Sequence, residues 1–163
     1  MPRFLLVPKL CLGTQEDQKK GKQRMPDMKS TLSRWSPHAL SVLRIVAGFL
    51  FIEHGSQKLF AMPAGPSATP VELVSIIGLA GILEFFCGVF VMLGLFTRTA
   101  AFVASGEMAV AYFWKHALQG YSPLMNHGEL AVIYCFVFLY IASAGGGPWS
   151  LDHLRKRNPF LPH

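Results

Sequence analysis

The chain has 163 residues, of which 52% are hydrophobic and only 15% charged. Ordinary soluble domains carry roughly 25% charged residues, so a soluble fold of this composition would lack the polar surface to cover its apolar side chains. The length suits a single domain, and the net charge of +6 does not indicate nucleic acid, because the basic residues are confined to a few segments.

Residues 1–36 differ in character from the rest. Phe4–Val7 is apolar but is cut by Pro8, too short for the ~7–15-residue core of a secretion signal. Gly13–Met28 is polar and mixed in charge, without apolar periodicity, which predicts disorder. Met25 and Met28 each offer an alternative start. Residues 1–36 therefore read either as a basic cytoplasmic arm or as sequence upstream of the true start.

Four apolar stretches follow, at Pro37–Phe60, Val71–Phe96, Thr99–Leu118 and Gly128–Ala144, close to the roughly 20 residues that a spanning helix needs. Ala61–Pro70, rich in Pro and Gly, and Gln119–His127, broken at Pro123, are the outer loops. Thr97-Arg98 is a tight inner turn, and Gly145-Gly146-Gly147-Pro148 ends the last helix before a basic tail, residues 153–163. Eight Lys and Arg precede the first span, three follow the last and Arg98 lies in the inner turn, against Lys58 and Lys115 at the outer loops. Twelve against two places both termini in the cytoplasm. Short connections with alternating direction predict an all-α fold: a polytopic membrane domain over residues 37–152, built as an antiparallel four-transmembrane-helix bundle.

Arg44, Glu53, Glu84 and Glu107 sit inside these spans. A charge at bilayer depth costs at least ~2.5–3.5 kcal/mol unless it finds a partner, so the four point to a polar site between helices. Arg44, Gly48, Phe51, Gly55 and Lys58 recur at steps of four, three, four and three and share one helix face. Gly81, Glu84 and Gly88 repeat the device on span two; glycines there allow close approach of backbones. At ~1.5 Å per residue, Arg44 lies roughly 10 Å from the inner end, Glu107 about 14 Å and Glu84 about 18 Å. These depths predict an intramembrane cluster in which Arg44 is shared between Glu84 and Glu107, its guanidinium offering donors in a fixed fork.

A second cluster is expected at the outer mouth, from Glu53, His54, Lys58, Asn126, His127 and Glu129. Its members exchange protons or hydrogen bonds, and histidine titrates near neutral pH. Glu72, Lys115 and His116 nearby fit a solvated helix end. No metal is expected, since the Glu-x-x-His spacing of bundle di-metal sites is absent. Cys11, Cys87 and Cys135 form no C-x-x-C pair, and the two within spans read as small hydrophobes.

The stretch Leu43-Arg44-Ile45-Val46-Ala47-Gly48, then His54-Gly55-Ser56-Gln57-Lys58-Leu59-Phe60, resembles the DoxX family of small four-helix bacterial membrane proteins. So do Gly81-Ile82-Leu83-Glu84 with Gly88, Leu93-Gly94-Leu95-Phe96-Thr97-Arg98, Asn126 with Gly128-Glu129, and the closing Gly145-Gly146-Gly147-Pro148-Trp149-Ser150-Leu151-Asp152. The likeness covers residues 38–152. It implies a place in the bacterial inner membrane and a link to membrane redox, since some relatives are subunits of thiosulfate:quinone oxidoreductase and others accompany thiol or oxidative-stress systems. The chain itself carries no flavin, haem or iron–sulfur motif, so the implied electron carrier is lipid-soluble quinone or the cofactor of a redox-enzyme partner subunit. The lipid bilayer is the first expected partner, and self-association is an open alternative. Two other functions stand beside the redox one: a small-solute or proton-coupled carrier, and an assembly protein whose charges only lock the bundle.

Overall fold

The computed structural model describes residues 28–64 and 71–157. The expected disordered arm lies outside them up to Asp27, as do most of the first outer loop and the last six residues. The chain divides into two units, Met1–Ser33 and Arg34–His163; of the first, only the helical residues from Met28 are described. Five α-helices and no strand occur among the described residues: α1 (Met28–Phe60), α2 (Ile76–Leu93), α3 (Thr97–Ala111), α4 (Glu129–Ala144) and α5 (Leu151–Arg157). A π-helical turn, Tyr112–His116, and a 3-10 turn, Ala117–Gln119, extend α3.

Several boundaries differ from expectation for local reasons. Pro37 lies inside α1 rather than at its start, and its carbonyl accepts the Ser41 hydroxyl at 3.2 Å. α2 begins only at Ile76 because Ser75 caps it, its hydroxyl accepting from the Gly78 amide at 3.0 Å. α2 ends at Leu93 because Gly94 adopts φ 73° and its amide bonds back to Phe90 and Val91, a left-handed stop that favours glycine. The tight turn is thus Gly94–Phe96; Thr97 and Arg98 already belong to α3. Part of the basic tail is the short helix α5.

Two helices are long and apolar enough to cross a membrane, α1 over Leu32–Phe60 and α2, while α4 is apolar but shorter, at 16 residues. α1 and α2 run in opposite directions at backbone contact. A β-carbon on Gly48 would stand 2.6 Å from the Met92 amide nitrogen, and one on Gly55 would stand 2.5 Å from that of Phe85. Only glycine fits there. The same mould is cut into α2, where Gly88 faces Ile52 and Gly81 faces Lys58. α3 meets α4 through small residues, Ala101, Ala104 and Ser105, whose hydroxyl donates to the Cys135 carbonyl at 2.8 Å. The buried Phe51 of α1 packs edge-on against Phe138 and beside Tyr134 of α4, at centroid distances of 4.7 and 5.6 Å. The apolar side chains outside this core, among them Val46, Phe49, Ile77, Phe86, Phe102, Val110, Ile133 and Phe136, are exposed on every long helix. So broad an apolar exterior suits lipid rather than water.

Candidate functional site

From the last turn of α1, Lys58 reaches Glu84 at the middle of α2, Nζ to Oε1 at 2.6 Å. Glu84 is 3% exposed, and the close approach of the two backbones at Gly81 puts the root of Lys58 against α2. Glu107 of α3 lies within electrostatic reach of both Glu84 and Lys58. One ammonium therefore faces two carboxyl groups. Glu84 Oε2 and both carboxylate oxygens of Glu107 are buried without a hydrogen-bond partner, in a setting where an unanswered polar atom costs ~1–3 kcal/mol and a charged one more.

Tyr134 of α4, buried beside Phe51, is within electrostatic reach of Glu84 and of Glu53. The His54 ring meets it edge-on at 5.9 Å. Glu53 and His54 are half-buried, about one turn before Lys58 on α1. Cys87, a buried free thiol, lies near Glu107 on the other side.

Arg44 does not join this group. It is fully buried, and all its hydrogen bonds run to backbone carbonyls: Val91 and Met92 from Nη1, Gly146 from Nε at 2.8 Å and Trp149 from Nη2 at 2.8 Å. The expected sharing of Arg44 between Glu84 and Glu107 is therefore corrected. Val91 and Met92 belong to the last turn of α2, where the Gly94 amide also reaches the Val91 carbonyl, and a cation there answers carbonyls that a helix end leaves open and the helix dipole. Arg98 treats α4 the same way, donating to the carbonyls of Ala142 and Ser143 at 3.1 and 2.8 Å. Asp152 caps the opposite polarity: its carboxylate accepts from the amides of Phe96 and Thr97 and from the Thr97 hydroxyl, at 2.7–3.0 Å. Burial alone would push the Asp152 carboxyl up, but the Thr97 and Phe96 hydrogen bonds and nearby Arg155 hold it below the usual carboxylate value. Glycines and polar residues after α4 complete the knot, with the Trp149 amide on Ser41 Oγ at 3.3 Å and Ser150 Oγ on the Gly147 carbonyl at 2.7 Å.

The outer-mouth set separates into three parts. Lys58 turns inward to Glu84, with Glu53 and His54 beside Tyr134. Asn126, 2% exposed, organises its own loop: Nδ2 donates to the Gly120 carbonyl at 2.7 Å, and Oδ1 accepts from the Gly128 amide at 2.9 Å. Its carbonyl lies 2.9 Å from His116 Nδ1. His127, with φ 56°, and Glu129 are exposed. Sequence reasoning missed Tyr134 and the capping roles of Arg98 and Asp152. It also gave Lys58 to the wrong group, although the shared face of Arg44, Gly48, Gly55 and Lys58 carried the signal.

Two relatives cover most of the chain. An uncharacterized protein of Haemophilus influenzae is 40% identical over 133 residues, which are 76% of this chain and 96% of the relative. An uncharacterized membrane protein of Mycobacterium tuberculosis is 28% identical over 149 residues, 81% of this chain and 91% of the relative. No solved structure gives a significant match. The DoxX family model matches residues 39–117, a range that holds the glycine-moulded pair α1–α2 together with Arg44, Lys58, Glu84 and Glu107. The chain is a membrane protein that belongs to the DoxX family.

Proposed function

We propose that this protein is an inner-membrane subunit or partner of a quinone-linked oxidoreductase system, folded as an antiparallel four-span bundle with both termini cytoplasmic. The single observation that carries the reading is the set of three partnerless carboxylate oxygens beside one ammonium. Such a site suits a lipid-soluble ligand that offers carbonyl acceptors in one redox state and hydroxyl donors in the other, as a quinone and its quinol do. When bound, a quinone takes up two electrons and two protons to become a quinol; the electrons come from a thiol or thiosulfate donor held by a partner subunit, two thiols giving one disulfide. Lys58 donates to a carbonyl of the headgroup. Glu84 at Oε2 and Glu107 would meet the other polar atoms of the headgroup with oxygens that no protein group occupies. Tyr134, Glu53 and His54 are the polar side chains nearest these carboxyls that could pass protons onward.

Purification in mild detergent followed by solvent extraction tests this. Quinone should accompany the parent protein and fall about tenfold in Glu107→Gln, the loss of one contact worth ~1.4 kcal/mol. A parent preparation free of quinone, and inert toward a short-chain quinol, would overturn the reading. The grouping of Glu53 and Glu84 around Tyr134 within electrostatic reach also favours a second function, a proton-coupled carrier. Its signature is a proton flux in quinone-free proteoliposomes that Glu84→Gln abolishes.

A further inference from the structure

At the end of the molecule where Arg44 is buried, an open cavity of about 500 Å³ lies between the start of α3, the glycine loop after α4, and α5. Its lining includes Arg98, Arg155 and Lys156, with His153, the Thr99 side and a single acid, Asp152. Three permanent cations against one anion make it a strongly basic hollow. The anion, moreover, is committed: Asp152 is turned onto the amides of Phe96 and Thr97 and the Thr97 hydroxyl. Arg98 bonds the α4 carbonyls through Nη1 alone, and its Nη2 and Nε edge lies along Gly145, where even an added β-carbon would stand at 3.4 and 3.6 Å. A planar guanidinium edge is a two-pronged donor suited to phosphate oxygens.

We infer that this cavity binds a phosphate group, with Arg98, Arg155 and Lys156 supplying the charge and the Arg98 edge the directed hydrogen bonds. The apolar surroundings point to a phosphate carried by a lipid. Phe96, Trp149, Leu151 and Leu154 stand exposed on the elements that form the cavity, and Arg155 sits over the Phe96 ring at 5.7 Å. Exposed apolar side chains beside cations are what an anionic headgroup with its acyl chains requires, and basic pockets between membrane helices bind such headgroups. The inference is independent of what the carboxylates near Lys58 do.

The test uses the full chain in detergent micelles and reads thermal unfolding and native mass spectra. Cardiolipin or phosphatidylglycerol, and separately inorganic phosphate, are added against a phosphatidylcholine background. The variant is Arg155→Gln with Lys156→Gln, which leaves the α4 cap by Arg98 intact; Lys115→Gln, at the opposite end, controls for charge loss alone. Anionic lipid should bind as discrete adducts and raise the unfolding temperature, with the effect lost in the double variant and kept in Lys115→Gln. Phosphate that stabilises the parent in phosphatidylcholine, and fails in the double variant, would assign the site to a soluble phosphate compound instead. Equal binding of anionic lipid and phosphatidylcholine with no response to phosphate overturns the inference. So does a double variant that binds like the parent.

Discussion

Two sets of charge in this molecule are treated in opposite ways. Around the glycine loop, Arg44, Arg98 and Asp152 bond to helix ends, cation to carbonyls and anion to amides. Around the middle of α2, Glu84 bonds the one ammonium through Oε1, while its Oε2 and both oxygens of Glu107 stay unbonded. The first arrangement lowers the cost of folding: each charge satisfies backbone groups that a helix terminus leaves open. The second raises that cost, since unanswered polar atoms in a low-dielectric interior are expensive. Groups that disfavour folding suit a role other than folding, which is why the proposed chemistry is assigned to Lys58–Glu84–Glu107 and architecture to Arg44.

The contrast is broken or sharpened most strongly by Arg44→Ala. It takes the guanidinium from four carbonyls, of which Val91 keeps the Gly94 amide, and should cost about 3–5 kcal/mol, since each buried acceptor left unanswered costs ~1–3 kcal/mol. Adding Glu84→Gln and Glu107→Gln should restore none of it, because neither acid touches Arg44. Arg44→Lys should fail nearly as badly, since a point charge cannot reach four carbonyls at once. Denaturant titration of the detergent-solubilised protein reads all of these. Recovery in the triple variant would return Arg44 to the carboxylate site.

Next comes the glycine mould. Gly55→Val forces a β-carbon against backbone, 2.5 Å from the Phe85 nitrogen and 2.8 Å from the Gly81 oxygen, and should cost ~1–3 kcal/mol by overpacking. Gly106→Ala meets nothing within 4 Å and should stabilise by up to ~1 kcal/mol, since alanine is the better helix former. If the two substitutions prove equal in a thermal melt, close contact is not what holds α1 to α2.

Asp152→Ala should cost about 1 kcal/mol as a lost helix cap. The sign of its pH dependence follows from the lowered carboxyl. The contribution is full above the ordinary value of 3.8 and is lost as pH falls through the still lower folded value. Parent and variant melts should therefore differ at neutral pH and converge in strong acid. A difference that grows on acidification would contradict the cap.

The smallest effect on stability belongs to Glu107→Gln, which should be neutral or slightly stabilising, because a buried group without a partner contributes nothing to the fold. Its cost should appear in quinone retention alone. A Glu107→Gln protein as unstable as Arg44→Ala would erase the distinction between the two regions.

The amino-acid sequence carried the all-helical class, the membrane, the glycine faces and the four positions of interior charge. Partner assignment was the step it could not carry, and geometry explains why. Arg44 lies level with Val91 and Met92, whereas Glu84 is seven residues earlier on α2, roughly 10 Å away along the axis. That offset depends on where α2 stops, and the stop at Gly94 was placed too late when the span was drawn to Phe96. Lys58 suffered the complementary error. Its place near the end of an apolar run suggested water, but the Gly55–Gly81 contact draws its root against α2 and directs it inward. Nor does periodicity reveal that Asp152, outside every span, caps α3. A cap from a distant segment leaves no local pattern.

The four carbonyls that hold Arg44 come from both sides of the chain's history. Val91 and Met92 follow it by 47 and 48 residues, but Gly146 and Trp149 follow by 102 and 105. A nascent chain emerging from the ribosome therefore delivers α1 and α2 to the membrane with half of the guanidinium still unanswered. Closure waits for the last loop. Until the glycines after α4 leave the exit tunnel, two of the four carbonyl partners of Arg44 are missing. Truncations before Gly145 should therefore be less stable than the full chain, however apolar their helices.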